Sequence, residues 1–206
     1  MIELQAESIV PSYFGDYRML VFLEKPGDLQ HIAVVFGYPE KELVPLVRVH
    51  SACVTGEIFR ASNCDCREQL DYAFSLFRKE GHGILVYLDQ EGRGNGLPAK
   101  LKTMKLIQEG ESVNKAFQRL GYPGDARHYG VAAEILEELG IHQSIELLTN
   151  NPKKINELEA AGIRVERRRS SYLKPKTELI RRELISKRDE LDHYFPSAIE
   201  IEKNDE

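Results

Sequence analysis

The chain is short of cysteine and of long apolar runs and carries no excess of positive charge, and each lack closes off a class of protein. No stretch of its 206 residues approaches the roughly 20 consecutive apolar positions that a membrane-spanning helix requires. The opening run Met1-Ile2-Glu3-Leu4-Gln5 lacks the basic-then-apolar order of a secretory signal, so a cytoplasmic location away from membranes is expected. A net charge of −5 leaves no surplus for the broad basic face of a nucleic-acid binder. An anionic ligand would have to be met by a local basic pocket. There is no internal repeat and no low-complexity linker. What remains, 42% hydrophobic and 30% charged, is the make-up of an ordinary globule with one core. One domain is expected over 1–195, followed by an acidic, disordered tail over 196–206.

The few cysteines are not scattered. Cys53, Cys64 and Cys66 fall together in one short loop-like run. In a reducing compartment, thiols so clustered suit a metal better than a disulfide. A closed structural zinc site takes four protein ligands, whereas an open catalytic one takes three and leaves a position for water or substrate. Three thiolates therefore point to an open zinc site. Two other readings stand beside it: the cysteines are small core residues, or His50 joins them as a fourth ligand.

Apolar runs rich in Val, Ile, Leu, Phe and Tyr over 17–50, broken at Lys25-Pro26-Gly27-Asp28 and Gly37-Tyr38-Pro39, predict an antiparallel meander. From 67 to 167 helical and strand patterns alternate. Helices are expected at 67–80, 97–110, 128–140 and 153–161, and strands at 83–88, 145–148 and 163–166. That alternation predicts an α/β fold, a mixed β-sheet flanked by helices behind the N-terminal meander. Residues 167–195 are basic, then helical.

Groups with chemical potential sit at the ends of these elements, where rigid scaffolds carry function. Arg48-Val49-His50-Ser51 closes a strand and leads into the cysteine run. The strand at 83–88 is followed by Gln90-Glu91-Gly92-Arg93-Gly94-Asn95-Gly96, whose glycines can expose backbone N–H groups to an anion. A turn carries Asp125-Ala126-Arg127, which read plainly is a helix start with Asp125 near the N-cap. Thr149-Asn150-Asn151-Pro152-Lys153-Lys154 joins a strand end to a helix N-terminus, a setting that suits phosphate.

Together these segments, in this order, closely resemble the GTP cyclohydrolase II family from about residue 44 to 168. The length resembles a stand-alone cyclohydrolase rather than a fusion with a dihydroxybutanone phosphate synthase domain. The resemblance implies opening of the guanine imidazole ring of GTP at C8, release of formate and pyrophosphate, and a homodimer. It implies one zinc ion on Cys53, Cys64 and Cys66, whose acidified water attacks C8. Asp125 matches the family's base and Arg127 its nucleophile toward the α-phosphate. With a pKa above 12 an arginine is an awkward nucleophile, so a charge clamp on that phosphate is the rival role. Arg48, Val49, His50, Ser51, Ala52, Gln69, Glu91, Gly92, Arg93, Thr149 and Lys154 match nucleotide-binding positions. Glu91 is expected on the N1–H/N2–H₂ edge of guanine, and Arg48, Arg93 and Lys154 on phosphates, with Mg²⁺ on the leaving pyrophosphate.

The departures are informative. Met104 stands where the family carries a catalytic tyrosine, Val113 beside Ser112 where it has a nucleotide-contacting threonine, and Ala52 where it often has Glu. A thioether has no proton to give. Ring opening is therefore expected to proceed while the second hydrolysis, which frees formate, fails and leaves a formamidopyrimidine nucleotide. The alternatives are ordinary formate release and a GTP-binding regulatory module with structural zinc.

Overall fold

A computed structural model describes residues 1–202. They divide into two compact units: 1–50, 70–89 and 128–171 form the first, and 51–69, 90–127 and 172–202 the second. The chain passes between the two units five times, and the stretch 1–195 expected as one domain holds parts of both. No linker marks the division because each crossing falls at the end of a strand or within a helix or turn.

The strands are β1 (Ile2–Val10), β2 (Tyr17–Glu24), β3 (Leu29–Phe36), β4 (Leu46–Ser51), β5 (Gly83–Leu88), β6 (Ile145–Leu148) and β7 (Val165–Arg169). The helices are α1 (Val54–Glu57), α2 (Cys66–Glu80), α3 (Gly96–Gln108), α4 (Val113–Arg119), α5 (Gly130–Glu138), α6 (Pro152–Ala160) and α7 (Glu178–Leu191). All seven strands form one sheet in the order β1-β2-β3-β5-β4-β6-β7. The β1–β2, β2–β3 and β3–β5 pairs are antiparallel, and β4–β6 and β6–β7 are parallel. The expected α/β mixed sheet is present, with a different meander. Strand β1, which sequence patterning misses, supplies its outer edge, while β4 leaves it to lie beyond β5. Most of β1 is exposed and carries little apolar signal, so its place follows from backbone pairing with β2.

Alternation along the central strands builds two cores. On one face Leu20, Phe22, Ala33, Val35, Val47 and Ile84 belong to a cluster shared with Val131, Ile135 and Leu136 of α5 and Leu158 of α6. On the other, Val34, Phe36, Leu46, Leu85 and Leu148 pack with Ala73 and Phe77 of α2. Burial on both faces makes β5 a near-continuous apolar run and so legible in sequence.

The second unit has a smaller core, in which Ile180 and Leu184 of α7 meet Ile199, with Tyr172 and Phe195 around them. Thr177 caps α7 by accepting from the Ile180 N–H. The stretch 196–202, expected as part of a disordered tail, is thus tied down: Ile199 is 6% exposed, and the Glu202 N–H donates to the Pro175 carbonyl at 2.8 Å. The rest of that tail, 203–206, lies outside the described residues. No helix among the described residues is long and apolar enough to cross a membrane.

Candidate active site

Cys53 is the N-cap of α1, and Cys66 opens α2 two residues after Cys64, so two helix starts bring distant sulfurs together. The three Sγ atoms lie within 4.8 Å of one another, with Cys53 and Cys64 3.7 Å apart. Tetrahedral ligation at a metal–sulfur distance of about 2.3 Å needs sulfurs about 3.8 Å apart, so the cradle fits zinc. Gly56 makes room for it: a Cβ there would stand 2.5 Å from the Cys64 sulfur and 3.3 Å from that of Cys53. Among the described residues no histidine or carboxylate joins the trio, so His50 is not a fourth ligand here, and the core-residue reading gives way to a metal-competent cluster. Hydrogen bonds from Cys64 and Cys66, followed by the charge of Lys100, hold the Cys53 thiol far below its ordinary pKa. The same sharing with Cys53 pushes Cys64 up to about 12.

Glu91 and Lys100 close a ring around this loop. Lys100 Nζ, on α3, lies 3.1 Å from Cys53 Sγ and donates to Glu91 Oε1 at 2.8 Å. The same oxygen accepts from the Gly92 N–H at 2.7 Å, and Oε2 accepts from the Val54 N–H at 2.6 Å. Burial opposes the Lys100 charge, but Glu91 and Cys53 outweigh it and raise its pKa above the ordinary lysine value.

The glycine-rich loop folds back on itself through left-handed residues. Gly92 has φ +60°, and a Cβ there would meet the Gly96 carbonyl oxygen at 2.3 Å, so only glycine fits. Arg93 shares that conformation at φ +55°, and its carbonyl accepts from the Ala126 N–H at 2.9 Å. Asn95 Nδ2 reaches the Pro123 carbonyl at 3.0 Å. This zipper fixes the turn carrying Asp125 and Arg127. Arg127 donates to Asp125 through Nε (2.9 Å), Nη2 (2.6 Å) and its own N–H (3.0 Å). Burial pushes the Asp125 carboxyl up, yet the guanidinium takes it down to about 2. The helix-start reading fails, because α5 begins only at Gly130 with Tyr129 as its N-cap.

A cavity of about 380 Å³ in the second unit is lined by Ser51, Ala52, the three cysteines, Glu91, Gly92 and Arg93. Met104, half-buried on α3, faces it together with Lys100, Arg127, Ser112 and Val113. Gln69 turns to Asp65, donating to its Oδ2 at 2.7 Å. The opposite wall was not foreseen. Arg182, Glu183, Lys187 and Glu190 of α7 all line the cavity, and Ser112 Oγ donates to Glu190 Oε2 at 3.0 Å. The Lys187–Glu183 pair is 2.9 Å apart, with both side chains 15% exposed. Burial opposes the Lys187 charge, and Glu183, Asp65 and Cys66 more than restore it. The four-residue spacing of the pair on one helix is the signal that the sequence offered.

The remaining expected nucleotide positions belong to the first unit. Arg48 Nη1 donates to the Leu148 carbonyl at 2.9 Å, and His50 stacks on Tyr87 with ring centres 5.8 Å apart. Asn151 caps α6 by accepting from the Lys153 N–H, with Pro152 at its first turn, as the sequence suggests. Thr149 Oγ1 accepts from the Asn151 N–H at 3.0 Å. Lys154, in the first turn of α6, is buried, and its Nζ donates to the Val49 carbonyl at 2.7 Å.

The model of the family described as GTP cyclohydrolase II matches residues 3–170. The chain belongs to that family. It is 44% identical over 165 residues to the riboflavin biosynthesis protein RibBA of Phocaeicola vulgatus, covering 80% of this chain and 41% of that protein. It is 38% identical over 196 residues to the RibBA of Aquifex aeolicus, covering 95% of this chain and 48% of the relative. The chain therefore spans less than half the length of these relatives. Among solved structures, a two-domain 3,4-dihydroxy-2-butanone 4-phosphate synthase, RibBX, from A. baumannii matches with a TM-score of 0.45 and 21% identity, over 82% of this chain and 39% of that one. The family match ends at 170, so α7 lies beyond it.

Proposed function

We propose that this member of the GTP cyclohydrolase II family is a zinc-dependent hydrolase that opens the imidazole ring of GTP at C8 and releases pyrophosphate while keeping the formyl group. The observation that carries this reading is a single cavity lined at once by the three cysteines, by Arg93 and Arg127, and by Met104. Bound by the three sulfurs, zinc supplies the Lewis acidity that activates water toward an electron-poor purine carbon. Arg127, parted from Asp125, clamps the α-phosphate, and Asp125 takes the proton of the water that cleaves the α–β bond. Arg93, which lines the same cavity, meets the triphosphate, with Mg²⁺ on the departing pyrophosphate. One water opens the ring and another splits the phosphate chain. Only a further water frees formate, and Met104 offers that step no proton.

Full formate release is the second reading, favoured by relatives named for riboflavin biosynthesis. Both readings take the protein as a cytoplasmic homodimer. The test is Cys64→Ser with metal content and the nucleotide's ultraviolet spectrum followed together. Zinc and ring opening should be lost together, and a variant that sheds zinc yet consumes GTP at the wild-type rate would exclude metal-dependent chemistry.

A further inference from the structure

Among the charged groups around the cavity, Lys100 has the most specific placement. Its ammonium bridges Cys53 Sγ at 3.1 Å and Glu91 Oε1 at 2.8 Å, with the two side chains only 19% and 12% exposed. Glu91 is in turn committed to the same loop, since the Val54 N–H that follows Cys53 donates to its other oxygen at 2.6 Å. Cys53, Val54, Glu91 and Lys100 thus form a closed circuit of one covalent link and three hydrogen bonds. With the Gly92 N–H added, three donors occupy the Glu91 carboxylate. That leaves about one of its roughly four lone-pair sites, too few to take both donors of the guanine edge. The carboxylate expected to read the base is holding a lysine against a sulfur.

We propose that Lys100 is a positioning residue for the metal. Its N–H···S bond draws electron density from the Cys53 thiolate, and its charge offsets the net −1 that three thiolates leave on a dication. Both effects keep the bound metal a stronger Lewis acid than three unassisted thiolates would allow. Glu91 orients Lys100 for this task. The circuit also fixes the Cys53 sulfur, while Cys64 and Cys66, beyond the intervening loop, supply the other two ligands.

The proposal rests on the metal-dependent reading above, and its test is made without nucleotide, so that the two can fail separately. Wild type, Lys100→Met and Lys100→Arg are loaded with Co²⁺, and the sulfur-to-cobalt charge-transfer band is recorded. Zinc affinity is measured in parallel by chelator competition, with circular dichroism confirming the fold. Lys100→Met should move the band to longer wavelength, because an unassisted thiolate is the better donor, and should weaken zinc binding about 10–100-fold. Lys100→Arg, which keeps a cationic donor, should restore most of both. An unchanged band and affinity in Lys100→Met would overturn the proposal, as would equal changes in the Met and Arg variants, which would mark a packing effect. A wild type that takes up no metal would overturn the reading on which it rests.

Discussion

At the scale of single residues, the outcome proposed for the reaction turns on Met104. It lies half-buried on the cavity wall, facing the space that the cysteines line, and is not a filler of the core. A missing proton-transfer group costs typically 10²–10⁴-fold, about enough to turn an intermediate into the product. Met104→Tyr should raise formate per GTP consumed well above the wild-type ratio, while pyrophosphate per GTP stays constant. Equal formate from both proteins would remove Met104 from the account. Arg127 and Asp125 present a different case. At a pKa of about 2, Asp125 binds no proton at neutral pH while docked on Arg127, so the pair has to open before the carboxylate can serve as a base. Its folded value lies below the unfolded one near 3.8. The pair's contribution to stability, about 2 kcal/mol, is therefore complete above about pH 4 and lost as pH falls toward 2. Asp125→Asn should flatten that part of an acid-denaturation curve. Arg127→Ala should slow pyrophosphate release with zinc content unchanged. Wild-type release from that variant would leave neither the nucleophile nor the clamp role standing.

At the scale of elements, some of the site is plain in the sequence and some could not be. The cysteine cluster, the glycine-rich loop and the Asn151-capped α6 are local, with each chemical cue and its backbone cause lying within a few residues. Strand β5 and helix α2 are legible for the same reason. The latch between Glu91 and Val54 spans 37 positions, and the wall contributed by α7 arrives from beyond residue 170. Such partners depend on tertiary packing, which has no short-range pattern. Strand β4 shows the same limit, as its neighbour β5 is separated from it by two helices. Two variants test the elements. Gly56→Ala inserts a methyl group 2.5 Å from the Cys64 sulfur, so zinc affinity should collapse and stability should fall by about 1–3 kcal/mol on thermal melting. Lys187→Met, which strips the cavity-lining Glu183 of its partner, should lower the melting temperature, because an uncompensated buried charge is costly. An unchanged melt would show that Glu183 protonates or reaches water.

At the scale of the molecule, a chain with net charge −5 sets Arg93, Lys100, Arg127, Arg182 and Lys187 around one cavity together with Glu91, Glu111, Glu183, Asp189 and Glu190. The lining is thus mixed in sign and not the basic pocket expected for an anionic ligand, so the proposed nucleotide would have to be met by individual cations of that wall. The cavity is assembled from segments that the chain revisits, and each return to the second unit brings one part. Residues 51–69 bring the thiols, 90–127 the loop, Met104 and the Asp125–Arg127 turn, and 172–202 the wall. The most direct test is the identity of the product. Purified protein with GTP, Zn²⁺ and Mg²⁺ should convert the nucleotide to a ring-opened monophosphate that retains the formyl mass, with one pyrophosphate and little formate per turnover. Intact GTP after prolonged incubation of the zinc-loaded protein, or formate released in step with pyrophosphate, would contradict the account.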